Sequence, residues 1–248
     1  MKRSLKNLRA YTVQATDGPK GKVKDFLFDE ESWIIRYLEA DFGGFFNNKR
    51  VLVPKKFFDK PDWEENHFPV ELDKEAIESS PDIDTEMPVS RQYEVKLNQH
   101  YGIKHYWPYA YSGTAAMAMI YPPRPLDVPS KVVSEEEIDT NLRSFKEVEG
   151  YHVKALDSKL GQVDDILVDE DDWQIVYLVI DTGNFKAWSK KVLMSINWMD
   201  EINYTEREIS IKLHTDTIKK APEYDGLSTI NSAFENSLYE FYRNSLSG

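Results

Sequence analysis

Acidic side chains are the most frequent candidates for chemistry in this chain, which has 43 Asp and Glu residues, five histidines and no cysteine. Two of them, Asp25 and Asp165, each lie in an apolar stretch, with Val and Leu at flanking positions on the same face of a predicted strand. A buried carboxylate must accept hydrogen bonds or take a raised pKa. We expect each aspartate to anchor the N–H groups of a neighbouring loop, and catalysis is the alternative.

Two acidic turns form a second candidate site. Their residues are Asp29, Glu30, Asp169, Glu170, Asp171 and Asp172. They could gather a calcium ion, but both turns lack the glycine and the spaced Asp or Asn ligands of an EF-hand. We therefore predict ordinary hairpin turns at both places.

The five histidines form no recognised metal or catalytic motif. They are His67, His100, His105, His152 and His214. Only His100 and His105 lie close together, and we expect these two to pack at a helix end. Residues 18–22 resemble a phosphate loop only superficially, because the spacing is short and no Ser or Thr follows the lysine. The sequence thus predicts no catalytic residue, no metal site and no cofactor.

The candidate residues recur because the chain contains an internal repeat. Residues 11–43 align without a gap with residues 151–183. The recurring signature is Gly21, Asp25, Trp33, Tyr37 and Asp41 in the first copy, and Gly161, Asp165, Trp173, Tyr177 and Asp181 in the second. We expect the Trp and Tyr pairs to pack in the core or between the copies.

Each copy has the pattern of a small β-rich unit. Residues 11–15, 21–29 and 33–41 predict strands separated by turns, and residues 51–53 and 68–72 predict two more. Apolar residues on both faces of these strands favour a closed barrel with something packed outside it. A one-turn helix and a longer amphipathic helix follow, with apolar residues at a four-residue step. The second copy repeats this order. The longer stripes are Val89, Tyr93, Leu97 and Tyr101, and Ile230, Phe234, Leu238 and Tyr242.

These patterns predict two domains joined by a linker. The first domain spans residues 1–108 and the second spans residues 142–248, each a small barrel with a C-terminal helix. Residues 109–141 have no counterpart, and their prolines and acidic end indicate a partly ordered linker. The alternative is that the apolar run at residues 115–120 binds a partner or a second copy.

Composition narrows the functional classes. The net charge of −12 would repel a phosphate backbone, so we expect no binding to nucleic acid, with a local basic patch as the one exception left open. The basic N-terminus is followed by no apolar segment, and no run approaches the roughly twenty apolar residues of a membrane helix. We therefore expect neither a secretory signal nor a membrane span. The lack of cysteine permits a reducing compartment, and the cytoplasm is the expected location.

The chain resembles the PRC-barrel family, as a tandem duplicate of the bacterial stand-alone type. The resemblance is carried by a Gly-x-Val-x-Asp strand, an acidic turn, a Trp-led strand that ends in Asp-Thr-Gly at residues 181–183, and a short Val-Leu strand. The first copy departs from it at residues 41–43, which read Asp-Phe-Gly. The resemblance implies that each copy is a six-stranded barrel used for binding or assembly.

We therefore predict a non-enzymatic protein-interaction or assembly module with an unidentified protein partner. The two copies are expected to pack about an approximate two-fold axis in a monomer, or the chain forms a homodimer. The alternative is a protein that binds a small ligand or metal ion, or an enzyme, with its site between the repeats. A deep pocket that gathers polar groups from both copies would favour the alternative.

Overall fold

A computed structural model of the chain describes residues 1–42, 49–83, 89, 91–106, 141–183, 190–226 and 230–246. The first half contains β1 (Lys2–Ser4), α1 (Leu5–Leu8), β2 (Thr12–Ala15), β3 (Gly18–Asp29), β4 (Ile34–Asp41), β5 (Arg50–Pro54), β6 (His67–Pro69), α2 (Lys74–Glu78) and α3 (Arg91–His100). The second half contains β7 (Leu142–Ser144), α4 (Phe145–Val148), β8 (His152–Lys154), β9 (Lys159–Asp169), β10 (Ile175–Asp181), β11 (Lys191–Ser195), β12 (Met199–Asn203), β13 (Glu208–Ile211), α5 (Thr215–Lys220) and α6 (Ser232–Leu246).

The strands form two related barrel-like sheets, as predicted. One sheet has the order β5-β4-β3-β2-β6, and the other has the order β11-β10-β9-β8-β13-β12. Neighbouring strands are antiparallel except for β2 with β6 and β8 with β13, which are parallel in both sheets. The shared order and the shared parallel pair show that the two halves have the same fold. The second sheet has one additional strand, β12, which the sequence did not predict.

Both faces of the central strands are covered, which explains their almost continuous apolar sequence. The end of β3 buries Phe26, Leu27 and Phe28 in succession, and β9 buries residues 166–168 in the same way. The inner side chains of both sheets belong to one continuous core. Burial on both faces removes the alternation of polar and apolar residues that a sheet exposed on one side would show.

The first strand of each half pairs with the sheet of the other half. β1 lies antiparallel to β9, and Ser4 is opposite Leu167. β7 lies antiparallel to β3, and Ser144 is opposite Leu27. The first sheet therefore obtains its sixth strand from the second repeat. Because each contact has a reciprocal counterpart, the repeats are related by an approximate two-fold axis.

The longer helices cover the outer faces of the barrels. Leu97 of α3 packs with Leu27, Tyr37 and Leu52, and Tyr242 of α6 donates a hydrogen bond to the Leu193 carbonyl at 3.0 Å. α3 begins at Arg91 and α6 begins at Ser232. The first residues of the predicted apolar stripes, Val89 and Ile230, therefore lie outside these helices. Of the predicted linker, residues 109–141, only Asn141 lies among the described residues.

Candidate functional site

The two buried aspartates lie where the repeats meet. Asp25 is 4% exposed and accepts hydrogen bonds from the Lys146 N–H at 3.0 Å, from the Phe26 N–H at 2.9 Å and from the Ser144 hydroxyl. Ser144 is also the N-cap of α4. Thus Asp25, from β3 of the first repeat, holds the start of the short helix that leads into the second repeat.

Asp165 makes the equivalent contacts in the opposite direction. It is 7% exposed and accepts hydrogen bonds from the Lys6 N–H at 3.0 Å, from the Ile166 N–H at 2.7 Å and from the Ser4 hydroxyl. Ser4 is the N-cap of α1. Each aspartate therefore accepts one backbone N–H from the other repeat, as the anchoring interpretation expects, and one from the next residue of its own strand.

Burial dominates the protonation of both aspartates. It raises the pKa of Asp25 to about 6, while hydrogen bonds from Ser144, Phe26 and Lys146 act in the opposite direction. It likewise raises the pKa of Asp165 to about 6 against the bonds from Ser4, Lys6 and Ile166. Since two of the three hydrogen bonds to each carboxylate come from the other repeat, both carboxylates connect the repeats.

The acidic turns also connect the repeats. Arg3 Nε lies 2.8 Å from Glu170 Oε2, and Arg143 Nε lies 2.9 Å from Glu30 Oε2. These two pairs are again reciprocal. Asp169 binds the Lys2 ammonium at 2.6 Å. Much of the acidic character at the turns is therefore neutralised by cations from the first strand of the opposite repeat.

The paired tryptophans have different neighbours. Both have left-handed backbone conformations, with φ of +57° at Trp33 and +60° at Trp173. Trp173 packs into the first barrel, where its ring centroid lies 5.1 Å from that of Phe58 and 5.3 Å from that of Phe68. Trp33 stacks on Phe28 of its own repeat at 5.3 Å. The backbones meet directly, because the Ile35 N–H donates to the Trp173 carbonyl and the Ile175 N–H donates to the Trp33 carbonyl.

The paired tyrosines attach the C-terminal helices to the barrels. The Tyr37 hydroxyl donates to Glu94 of α3 at 3.0 Å, and the Tyr177 hydroxyl donates to Glu235 of α6 at 3.1 Å. Burial and the neighbouring carboxylate raise the pKa of both tyrosines. Each hydroxyl therefore stays protonated and serves as a donor.

The paired glycines occupy matching tight positions. Gly21 and Gly161 have φ of +74° and +61°. At each place a Cβ atom would clash with a backbone carbonyl, that of Asp41 in the first copy and that of Asp181 in the second. The side chains of the same two aspartates have further contacts, since the Asp41 carboxylate lies 3.3 Å from Lys24 Nζ and the Asp181 carboxylate accepts a hydrogen bond from the Gly183 N–H at 2.9 Å.

A cavity of about 570 Å³ opens on the surface where the repeats meet, and we call it the seam pocket. Six of its ten lining residues are basic. The lining consists of Lys6, Arg9, Ala10, Lys22, Val23, Lys24, Asp25, Glu39, Arg50 and Lys146. It gathers polar groups from both repeats, although it is open to solvent rather than deep.

The equivalent place in the second repeat is smaller and carries the opposite charge. Its cavity of about 270 Å³ is lined by Asp164, Asp165 and Asp225, with Lys6 and Lys191 as the cations. Asp164 lies 2.9 Å from Lys6 Nζ and 2.7 Å from Lys191 Nζ. In the first repeat, Lys24 stands at the place of Asp164. The two-fold symmetry of the backbone is therefore broken by charge.

The cations of the seam pocket differ in how they are paired. Lys24 binds Asp41 at 3.3 Å, and Arg50 binds Glu39 at 2.9 Å. Lys22 donates to the Thr12 hydroxyl at 2.7 Å. Within the described ranges, the Lys146 ammonium forms no ion pair, because only its backbone N–H is engaged. Among the described residues, Lys22 and Lys146 therefore have no paired anion.

A third cavity, of about 520 Å³, lies beside α3 and β4. Its lining includes Arg36, Tyr37, Asn98 and Tyr106, and the Arg36 guanidinium lies 4.0 Å from the Tyr106 ring centroid. Tyr106 is the last described residue before the gap at 107–140.

His100 and His105, the two histidines that are close in sequence, have different hydrogen-bond partners. His100 Nε2 lies 3.0 Å from the Ala76 carbonyl, whereas His105 Nδ1 lies 2.9 Å from the Asn98 amide nitrogen. Across the ranges that the structure covers, no three His, Asp or Glu side chains are grouped so that they could hold a metal ion. No helix in those ranges is long and apolar enough to cross a membrane.

A family model for the PRC-barrel domain matches the chain twice, at residues 2–76 and 142–218. The chain belongs to the PRC-barrel family. The two matches together cover more than half of the chain, and they coincide with the two sheets and their leading strands. PRC-barrel domains generally mediate protein interactions and are generally non-catalytic. A search of curated proteins finds no match to this chain.

Sequence reasoning recognised both PRC-barrel repeats but missed the seam pocket. The signal for it was present, because aligning the copies pairs Lys22 with Gln162, Lys24 with Asp164 and Arg9 with Glu149. Its significance depends on Lys6 and Lys146 crossing to the opposite barrel. That crossing is a tertiary contact that the alignment does not contain.

Proposed function

We propose that this tandem PRC-barrel protein is a non-enzymatic interaction or assembly module that binds a protein partner. The observation that carries the proposal is the seam itself, where strands exchanged between the repeats create one surface from two barrels. The buried titratable groups at this seam already hold the repeats together. We therefore expect a partner to bind the solvent-exposed surface of the seam.

The rigidity of the seam suits an assembly role. Each repeat supplies a strand, a capping serine and an arginine to the other, so that the two barrels keep one fixed relation. A binding surface whose groups are held in place loses less entropy when the partner binds. We propose domain boundaries of 1–108 and 142–248 around a linker at 109–141, and we propose the bacterial cytoplasm as the setting.

The experiment is affinity capture followed by reconstitution. The tagged full chain is used to capture proteins from cells, and mass spectrometry identifies those that are enriched. We expect one protein to recur and then to bind the purified chain in a defined ratio, as measured by sedimentation or calorimetry. If repeated captures recover no protein whose binding can be reproduced with purified components, the proposal is wrong.

The second candidate function is binding of a small ligand at the same seam, or an enzyme with its site there. It is favoured by the volume of the seam pocket, about 570 Å³, which lies in the range typical of small-molecule sites, and by polar groups from both repeats in its lining. A thermal-shift screen of phosphorylated and carboxylated metabolites tests this candidate. A ligand that stabilises the chain at micromolar concentration would favour it over a protein partner.

A further inference from the structure

We propose that the seam pocket binds carboxylates from an acidic segment of the protein partner. This inference rests on the proposed interaction function and names the surface and chemistry of the contact. It is carried by the comparison of two equivalent places in one chain, one of which contains a carboxylate between two cations while the other contains a third cation.

In the second repeat, the equivalent cations bind a carboxylate. There the Asp164 carboxylate bridges Lys6 and Lys191, with Nζ to oxygen distances of 2.9 and 2.7 Å. Burial opposes ionisation of Asp164, but the hydrogen bonds from Lys191 and Lys6 lower its pKa below the ordinary value. A carboxylate is thus stable as an anion at this position of the fold.

The first repeat retains the cations and lacks that anion. Lys146 takes the place of Lys6, and Arg50 takes the place of Lys191, because Arg50 and Lys191 pair with the equivalent residues Asp41 and Asp181 in the two sheets. Lys24 replaces the bridging carboxylate. Arg50 lies 2.9 Å from Glu39, which stands where the second repeat has Val179, and Lys24 lies 3.3 Å from Asp41. Within the described residues no carboxylate pairs with the third cation, Lys146, and an external carboxylate can bind it.

The shape of the pocket favours an extended acidic segment over a single small anion. Its volume is about 570 Å³, against about 270 Å³ for the equivalent cavity in the second repeat. Its basic residues come from α1, β3, β5 and α4 rather than from one loop. Since the whole chain has a net charge of −12, an acidic ligand gains its binding energy from close contacts rather than from the long-range field.

The test uses the full chain and a fluorescein-labelled oligoglutamate peptide, with an oligoglutamine peptide of equal length as the ligand control. Fluorescence anisotropy measures the affinity at two salt concentrations. We expect the oligoglutamate peptide to bind in a one-to-one ratio and to weaken as salt increases, and we expect no binding of the oligoglutamine peptide.

The key variant is Lys24→Asp, which places a carboxylate at the position that Asp164 occupies in the second repeat. The new carboxylate can bridge Lys146 and Arg50, so the variant has a folded precedent within the same chain. We expect its affinity for oligoglutamate to fall by at least about tenfold. Lys146→Gln is a second variant, which removes the unpaired cation without a new charge. The matched control is Lys96→Glu, which makes the same charge change at an exposed position on α3.

Three results would overturn the inference. The first is absence of oligoglutamate binding, and the second is an equal loss of affinity in Lys96→Glu, which would indicate a general effect of charge. The third is competition by inorganic phosphate at concentrations that match the peptide, which would indicate a small-anion site. If a captured protein partner binds Lys24→Asp as well as it binds the native chain, the seam pocket is excluded as its docking site while the interaction function stands.

Discussion

At the scale of single residues, the most informative groups are the two carboxylates that sequence reasoning placed inside strands. Asp25 and Asp165 each bind a serine and a lysine N–H of the other repeat. A buried aspartate with three donors could suggest a catalytic group. Here two of the three donors are the N-cap serine and a backbone N–H of a short helix in the other repeat, so the carboxylate serves as part of the connection between repeats.

We predict that these aspartates make the protein more stable in mild acid. The pKa of each is about 6 when folded, above the ordinary value near 4, so the contribution is fully present below about pH 4 and is lost as pH rises through about 6. The expected loss is about 3 kcal/mol of unfolding free energy per aspartate. Urea denaturation of the native chain and of the Asp25→Asn/Asp165→Asn double variant, at pH 4.5 and pH 7, checks this.

The double variant cannot ionise at these positions, while its amides can still accept the backbone N–H bonds. Its stability relative to the native chain should therefore improve as pH rises from 4.5 to 7. Equal pH dependence of the two proteins would show that the aspartates do not titrate in this range.

The glycine pair gives a prediction with an internal control. Gly161→Ala should destabilise the chain by more than the roughly 1 to 2 kcal/mol of a left-handed alanine, because its Cβ also meets the Asp181 carbonyl. Gly150→Ala is the control. Gly150 has φ of +84°, and a Cβ atom at this position would meet no other atom within 4 Å. Its counterpart in the first repeat, Ala10, is an alanine with the same φ. Thermal or chemical unfolding measures both. If the two variants lose the same amount of stability, the contact between the new Cβ atom and the Asp181 carbonyl costs nothing and the argument is wrong.

At the scale of secondary-structure elements, each C-terminal helix accepts a hydrogen bond from a tyrosine of its barrel. Glu94 is fully buried, whereas the Glu235 side chain is 32% exposed. We expect Tyr37→Phe to cost about 1 to 3 kcal/mol of unfolding free energy, because it removes a donor from a buried carboxylate. Tyr177→Phe should cost less, since water can replace the donor at Glu235. Urea titrations of both variants measure the two losses of unfolding free energy. A larger loss in Tyr177→Phe than in Tyr37→Phe would contradict the argument.

Elements also show where sequence reasoning reached its limit. The strands around Gly21 and Gly161 were predictable, because their pattern of apolar residues and turns occurs twice in the same order. The exchange of β1 and β7 was not, since three residues such as Lys2–Ser4 fit the edge of either barrel equally well. The unpaired cation at Lys146 depends on that exchange, so it could not be found before the pairing was known.

At the scale of the whole molecule, the exchanged strands predict how one repeat behaves alone. Residues 142–248 contain β9 without its partner β1, but they also contain β7, whose Arg143 and Ser144 are equivalent to Arg3 and Ser4. We expect this fragment to form a homodimer in which each β7 pairs with the β9 of the other copy. Sedimentation equilibrium should give twice the mass of the fragment.

Two variants make the fragment experiment specific. Asp165→Ala should weaken the dimer, because it removes the acceptor of the exchanged serine and N–H groups. His152→Ala, at an exposed position on β8, should leave the dimer unchanged. A folded monomer would show that the exchanged strand is dispensable for the barrel.

The exchange also constrains the order of events during synthesis on the ribosome. The Asp25 carboxylate can form its hydrogen bond with Ser144 only after a further 119 residues have been synthesised. At about 5 to 20 residues per second, that delay is about 6 to 24 s, during which the edge of the nascent first barrel is open. The second barrel has no such wait, because β1 is already made when β9 emerges. The first half is therefore the part of the chain that most needs protection by chaperones.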